Sequence, residues 1–154
     1  MPIKRHVSLQ PLSRDHHEGL MAALLLEKGV RKKAGLHHLQ DFCVQFFQSS
    51  LIPHFTLEEK ATVLLLEHPD LKAGIEKMLH DHMQLKNLVA EIQHQPSYEL
   101  IEQFSIALKE HIRFEDRVLF VQLERWADEA ALANFIHEES KRNFCEVYPV
   151  KFWL

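Results

Sequence analysis

Apolar residues recur every three or four positions along four long stretches of the chain, which is the spacing of a helix with one buried face. Breaks separate these stretches: Gly29 follows the first, Pro69 the second and the segment HQPSYE the third. We therefore predict an all-α fold, a four-helix bundle whose consecutive helices run up and down. The predicted helices are Ser13 to Lys28, Lys33 to Glu67, Asp70 to Gln93 and Ser97 to Trp126.

Two positions inside these stretches carry structural signals of their own. Ser13 is a good N-cap for the first helix, and Pro53 lies inside the second helix, which it should kink or split. Residues 1–12 then form an N-terminal arm and residues 13–126 the bundle. For residues 127–154 we predict a short extra helix, Asp128 to Arg142, and an irregular aromatic tail.

Each predicted helix places a histidine on the row of residues that faces the bundle core. In two of the rows a glutamate follows four positions after the histidine. The rows are Leu12, His16, Gly19, Ala23, Leu26; then Phe47, Leu51, His54, Glu58, Ala61, Leu65; then Ile75, Met78, His82, Leu85, Val89, Ile92; and Phe104, Leu108, His111, Glu115, Val118, Gln122. In the first helix a row through His17, Leu20 and Leu24 is almost as apolar, so both histidines remain candidates.

The two glutamates on these rows need a partner. Burying Glu58 and Glu115 as unpaired carboxylates would cost roughly several kcal/mol each, and no Lys or Arg lies on the rows. Two divalent ions held by the four histidines and two glutamates would remove this penalty. Nitrogen and oxygen ligands without sulfur suit iron, manganese or zinc, and carboxylates shared between bundle helices are typical of dinuclear iron sites.

Composition narrows the class of protein further. The chain has 154 residues, 46% of them hydrophobic and 26% charged, which fits one well-packed domain. The formal net charge is −4 and the basic residues are scattered, so we expect no nucleic-acid partner. The longest apolar run is too short for a membrane span, and we expect a cytoplasmic protein without membrane contact. Cys43 and Cys145 lack CxxC spacing and are predicted to be buried thiols.

Four stretches, LSRDHHEGL, LIPHFTLEEK, LHDHMQLKNLV and LKEHIRFEDRVLF, resemble in this order the hemerythrin-like family of HHE cation-binding domains. The resemblance spans residues 12 to about 120. It implies a hemerythrin-like bundle with a carboxylate-bridged pair of iron ions, although zinc or manganese would suit the same ligand types. The ligands that it implies are His16 or His17, His54, Glu58, His82, His111, and Glu115 or Asp116.

Asp116 holds the position that oxygen-carrying members of the family use, five residues after the histidine, whereas many bacterial relatives use the position of Glu115. Glu115 fits the buried row better. The third helix departs from the oxygen carriers, because Met78 stands where they have a second histidine. This departure argues against reversible oxygen carriage. One ion would keep open positions for water, oxygen, peroxide, nitric oxide or a substitute carboxylate such as Glu59.

Three functions follow from this pattern. The first is a dinuclear, non-haem iron protein that binds or senses oxygen, nitric oxide or redox state through a small diatomic or peroxide ligand. The second is a diiron enzyme that reacts with oxygen or peroxide. The third is an interaction module held together by its metal, motivated by Tyr148, Phe152 and Trp153 in the tail. These rings either fold back on the bundle or dock a second copy of the chain as a homodimer.

Overall fold

The computed structural model describes residues 4–136 and 143–154, and these residues contain helices and no β-strand. The α-helices are α1 (Gln10–Arg31), α2 (Leu36–Phe46), α3 (Ile52–Thr62), α4 (Lys72–His94), α5 (Tyr98–Phe114), α6 (Phe120–Trp126), α7 (Glu129–Ala133) and α8 (Phe144–Val147). Short 3₁₀ turns at Val7–Leu9 and Val63–Leu65 flank the bundle helices. The predicted all-α helical bundle is confirmed.

Two of the four bundle helices contain a π-turn, a stretch in which backbone hydrogen bonds span five residues instead of four. The first π-turn, Phe47–Leu51, joins α2 to α3. The second, Glu115–Leu119, joins α5 to α6. The second bundle helix is therefore α2, π-turn and α3, and the fourth is α5, π-turn and α6.

Proline explains the first π-turn. Pro53 is the second residue of α3, and the Ile52 N–H donates to the Phe47 carbonyl five residues back. The wider turn moves the backbone around a residue that has no N–H and whose ring would collide with the carbonyl four positions earlier. The predicted interruption at Pro53 is thus present as a π-turn.

The second π-turn changes which residues of the fourth helix are buried. The Phe120 N–H donates to the Glu115 carbonyl, five residues back. In and beyond this turn Leu119, Phe120 and Leu123 are buried, whereas Val118 is 40% exposed. The predicted row was therefore wrong at Val118, because a π-turn inserts one residue into the helical repeat.

Two predicted helix starts differ from the structure by three residues. The first helix begins at Gln10, since Pro11 is compatible with a first turn, and Ser13 lies inside the helix and is not its N-cap. The second begins at Leu36 and not at Lys33, whose φ of 55° is left-handed and interrupts a helix.

The buried apolar residues form two clusters. One contains Leu26, Phe42 and Leu108 with their neighbours, and the other contains Leu12, Ile75 and Leu119. In all four bundle helices, the histidine of the predicted row lies between residues of the first cluster and residues of the second. The polar side chains therefore form a layer inside the bundle, with an apolar core on either side.

The C-terminal segment packs on the bundle. The helix predicted from Asp128 ends at Ala133, and residues 137–142 of that prediction lie outside the described residues. Tyr148 and Phe152 are buried, with ring centroids 4.9 and 5.2 Å from that of Phe42 on α2. The tail aromatics thus contact the chain's own bundle. Among the described helices, none has the length and apolar character needed to cross a membrane.

Candidate metal centre

The bundle helices bring together six side chains that could hold a metal ion. They are His16 on α1, His54 and Glu58 on α3, His82 on α4, His111 on α5 and Glu115 on the second π-turn. They form two groups, each with its ligand atoms within 4.8 Å of one another: His16, His54, Glu58 and Glu115, and Glu58, His82, His111 and Glu115. Because both glutamates belong to both groups, the two groups share one layer of carboxylate oxygens.

The Nε2 atoms of all four histidines point at these carboxylates. His54 and His82 each place Nε2 3.3 Å from Glu58 Oε1. His16 Nε2 lies 3.3 Å and His111 Nε2 2.8 Å from Glu115 Oε1. All six side chains are buried, and both glutamates have no exposed surface.

The hydrogen-bonding state of these atoms is the strongest local sign of a cation site. Among the described residues, ten buried side-chain nitrogen or oxygen atoms have no hydrogen-bond partner. Eight of them belong to this layer: the four histidine Nε2 atoms and the four oxygens of Glu58 and Glu115. Buried polar atoms normally have a partner, so a cluster of eight fits a layer built around metal ions.

The other nitrogen of each imidazole meets a second carboxylate. The Nδ1–H donors and their acceptors are His16 to Asp116 at 2.8 Å, His54 to Asp15 at 3.0 Å, His82 to Glu59 at 2.8 Å and His111 to Asp81 at 3.1 Å. A carboxylate at Nδ1 fixes the tautomer and leaves the Nε2 lone pair free for a metal ion.

These contacts follow a repeated sequence pattern. An acid directly before the histidine, in Asp15-His16 on α1 and Asp81-His82 on α4, accepts from the histidine of the next ligand-bearing helix. An acid directly after the glutamate accepts from a histidine across the layer: Glu59 from His82, and Asp116 from His16. The layer therefore consists of two equivalent halves, α1 with α3, and α4 with α5 and its π-turn.

The electrostatics of the layer favour a cation. Burial lowers the pKa of His111, but the charge of Glu115 and the hydrogen bond to Asp81 outweigh it and raise that pKa to about 10. The pKa values of His16 and His54 are likewise raised, since nearby carboxylates outweigh the effect of burial. Burial raises the pKa of Glu115, yet His111 and its other neighbours hold it well below the ordinary value. Positive charge is stabilised here.

The alternatives left open by the sequence fall in different places. His17 is exposed, whereas His16 is buried in the layer. Asp116 and Glu59 lie outside both groups and accept from Nδ1 atoms. Sequence reasoning missed Asp15 and Asp81 as partners of histidines, although their positions directly before a row histidine are a usable signal.

A cavity of about 650 Å³ connects the surface with one side of the layer. Exposed Arg14 and His17 line it together with buried His54, and so do His16, His111 and Glu115. His82 and Glu58 do not line it. A small molecule could therefore approach the layer through this cavity from the side of His16, His54 and His111.

Comparison with known proteins agrees with this geometry. A family model, the hemerythrin HHE cation binding domain, matches residues 10–123 and so covers all six side chains of the layer. No match was found among curated proteins or among solved structures. With a buried histidine and carboxylate layer in a helical bundle, and a family match over most of its length, the chain belongs to the family of hemerythrin HHE cation-binding domains.

Proposed function

We propose that the protein binds two iron ions in this layer and uses them to bind or sense a small ligand: oxygen, nitric oxide or peroxide. The observation that carries the proposal is the sharing of Glu58 and Glu115 by two four-residue groups. A single ion would use only part of this arrangement, whereas two ions would engage all six side chains. The two carboxylates would offset half of the charge of two divalent ions.

The donor set fits iron. Each group offers two imidazole nitrogens and two carboxylates, which suit iron, manganese or zinc and not calcium or magnesium. In the proposed site His16 and His54 would hold one ion, His82 and His111 would hold the other, and Glu58 and Glu115 would be available to both. Bound iron would supply redox chemistry and coordination positions that no protein atom fills.

The protein's own residues would define where the small ligand binds. Both His16 and His54 line the cavity, whereas of the other pair only His111 does, so the ligand would approach mainly the ion held by His16 and His54. On the other side Met78 is fully buried and belongs to the apolar cluster. Only two histidines are thus available to each ion, and this low ligand count favours binding or sensing at an open position.

Metal analysis and spectroscopy of anaerobically purified protein would test the proposal. We expect iron in the purified protein, and a visible spectrum that changes when air or nitric oxide is admitted. The exposed His94→Ala variant, at the end of α4 and outside the cavity lining, serves as control and should retain the metal and the spectral change. Stoichiometric zinc, with no iron uptake after reconstitution, would contradict a ligand-sensing role and leave the metal a structural one.

A further inference from the structure

The part of the N-terminal arm that precedes α1, residues 4–9, contacts the second π-turn through one buried arginine, Arg5. Arg5 is 8% exposed and lies 111 residues from Asp116 in sequence. Its Nη2 donates to the backbone carbonyl of Asp116 at 2.7 Å, and its Nη1 donates to Glu124 Oε1 at 2.6 Å. The arm is fixed further by the His6 N–H, which donates to Glu124 Oε2 at 2.5 Å.

Arg5 contacts the Asp116 carbonyl, which has no helical N–H donor because of the π-turn. In an α-helix the Phe120 N–H would donate to Asp116, but here it donates to Glu115. Leaving a partly buried carbonyl unpaired is unfavourable. A charged guanidinium is a strong replacement donor, so Arg5 stabilises the π-turn at the point where the turn is weakest.

This π-turn carries two side chains of the candidate metal centre. Glu115 is shared by both ligand groups, and Asp116 accepts from His16 Nδ1. Arg5 also approaches His16 by a second route. Its Cζ lies 5.5 Å from the ring centroid of Phe120, and the Phe120 ring stacks on His16 with centroids 5.2 Å apart.

We propose that Arg5 is a positioning residue of the metal centre: by bonding the Asp116 carbonyl and covering Phe120, it holds the second π-turn so that Asp116 orients His16. The inference rests on the proposed function for its effect on metal binding. Its effect on His16 is a property of the metal-free chain. Arg5 touches no candidate ligand atom, so it acts through Asp116 and Phe120.

The test compares Arg5→Ala, Arg5→Lys and a control, Lys4→Ala, which changes an exposed residue of the same arm. The first readout is the ¹H–¹⁵N spectrum of the histidine side chains in metal-free, full-length protein. We expect Arg5→Ala to shift the His16 ring signals and leave those of His82 in place, because His82 is oriented by Glu59. Lys4→Ala should match the unmodified protein.

The second readout is the affinity for Fe(II), added anaerobically in competition with a chelator. We expect Arg5→Ala to weaken it roughly 10-fold, the lower end of what loss of an outer-shell partner causes. Arg5→Lys keeps the charge but not the two-pronged geometry, and should fall between Arg5→Ala and the unmodified chain.

Unchanged His16 signals together with unchanged Fe(II) affinity in Arg5→Ala would overturn the inference, even if the variant were less stable. If Arg5→Ala does not fold, Glu124→Gln takes its place, since it removes the charge that Arg5 pairs with and leaves an amide oxygen that can still accept from the His6 N–H. A shift at His16 is again expected, and its absence is again contradictory. An unmodified chain that binds no Fe(II) would refute the proposed function, while the spectra of the metal-free chain would still decide the role of Arg5.

Discussion

The two halves of the candidate metal centre use the same pattern but support it differently. In both, an acid before one histidine and an acid after one glutamate accept from imidazole Nδ1 atoms. In the first half the acid after the glutamate is Glu59, on the regular helix α3. In the second half it is Asp116, one methylene shorter and placed on a π-turn.

The two π-turns also have different causes. Next to the first, Pro53 excludes a regular helix, and the carbonyl that loses its donor belongs to exposed Gln48, where water can bond to it. The second π-turn has no proline. The carbonyl that loses its helical donor there, that of Asp116, accepts a hydrogen bond from Arg5 of the N-terminal arm. One turn follows from local sequence, whereas the other depends on a contact between distant parts of the chain.

The largest expected effect comes from the residues that both halves share. Replacing Glu115 by Ala removes a carboxylate from both ligand groups, so we expect metal binding to be lost at both. Glu58→Ala should be equally severe, because the halves are equivalent in this respect. The control is Glu110→Ala, an exposed acid of α5. Metal content after desalting measures the effect. A Glu115→Ala chain that kept its full metal content would show that Glu115 is not a ligand shared by the two groups.

Removing one residue from each π-turn should separate the two turns. Deletion of Val118 returns the fourth helix to α-helical spacing and keeps Leu119 and Leu123 on the buried side, so the bundle should fold. Deletion of Ser50 leaves Pro53 inside an unbroken helix, which is unfavourable by about 3 kcal/mol. Urea denaturation of the metal-free chains should therefore show the Ser50 deletion to be the less stable by about that amount. Equal losses would mean that Pro53 is not the cause of the first turn.

Metal removal should destabilise the whole layer. The folded chain binds the ions and the unfolded chain does not present the site, so bound metal adds about 2.7 kcal/mol of stability at 100 times the dissociation constant. We expect a chelator to lower the melting temperature of the unmodified protein and to leave that of Glu115→Ala unchanged. A chelator effect of the same size in both would assign the metal to another site.

The smallest effects should distinguish the two acids that act across the layer. Asp116→Ala and Glu59→Ala each remove the acceptor for one Nδ1–H, and outer-shell losses of this kind weaken metal binding about 10- to 100-fold. The larger loss is expected for Asp116, since its side chain is 24% exposed against 34% for Glu59, where water more readily takes over. Asp116→Asn keeps an acceptor and should recover part of the affinity. A larger loss of metal affinity in Glu59→Ala than in Asp116→Ala would contradict this order.

Much of this arrangement could be predicted from the sequence. Helical periodicity predicted the four bundle helices, and the buried rows through His54, His82 and His111 followed from it, whereas in the first helix it left His16 and His17 both open. A histidine or glutamate on an apolar row is visible without a structure. Pro53 predicted an interruption of the second bundle helix, which the structure contains as the first π-turn.

The remainder depends on contacts between distant segments. The second π-turn has no breaking residue, so the predicted row continued to Val118, which is exposed in the structure. The hydrogen bond between His16 and Asp116 depends on the position of that π-turn. The π-turn is contacted by Arg5, which lies near the other end of the sequence. Periodicity within one helix contains no information about such contacts.

The most direct test of the central claim is an anaerobic Fe(II) titration of the metal-free chain, with bound iron counted after desalting. Two groups that share Glu58 and Glu115 predict close to two ions per chain, and close to none in Glu115→Ala. One ion per chain, or the same count in both proteins, would contradict a dinuclear centre built on shared glutamates.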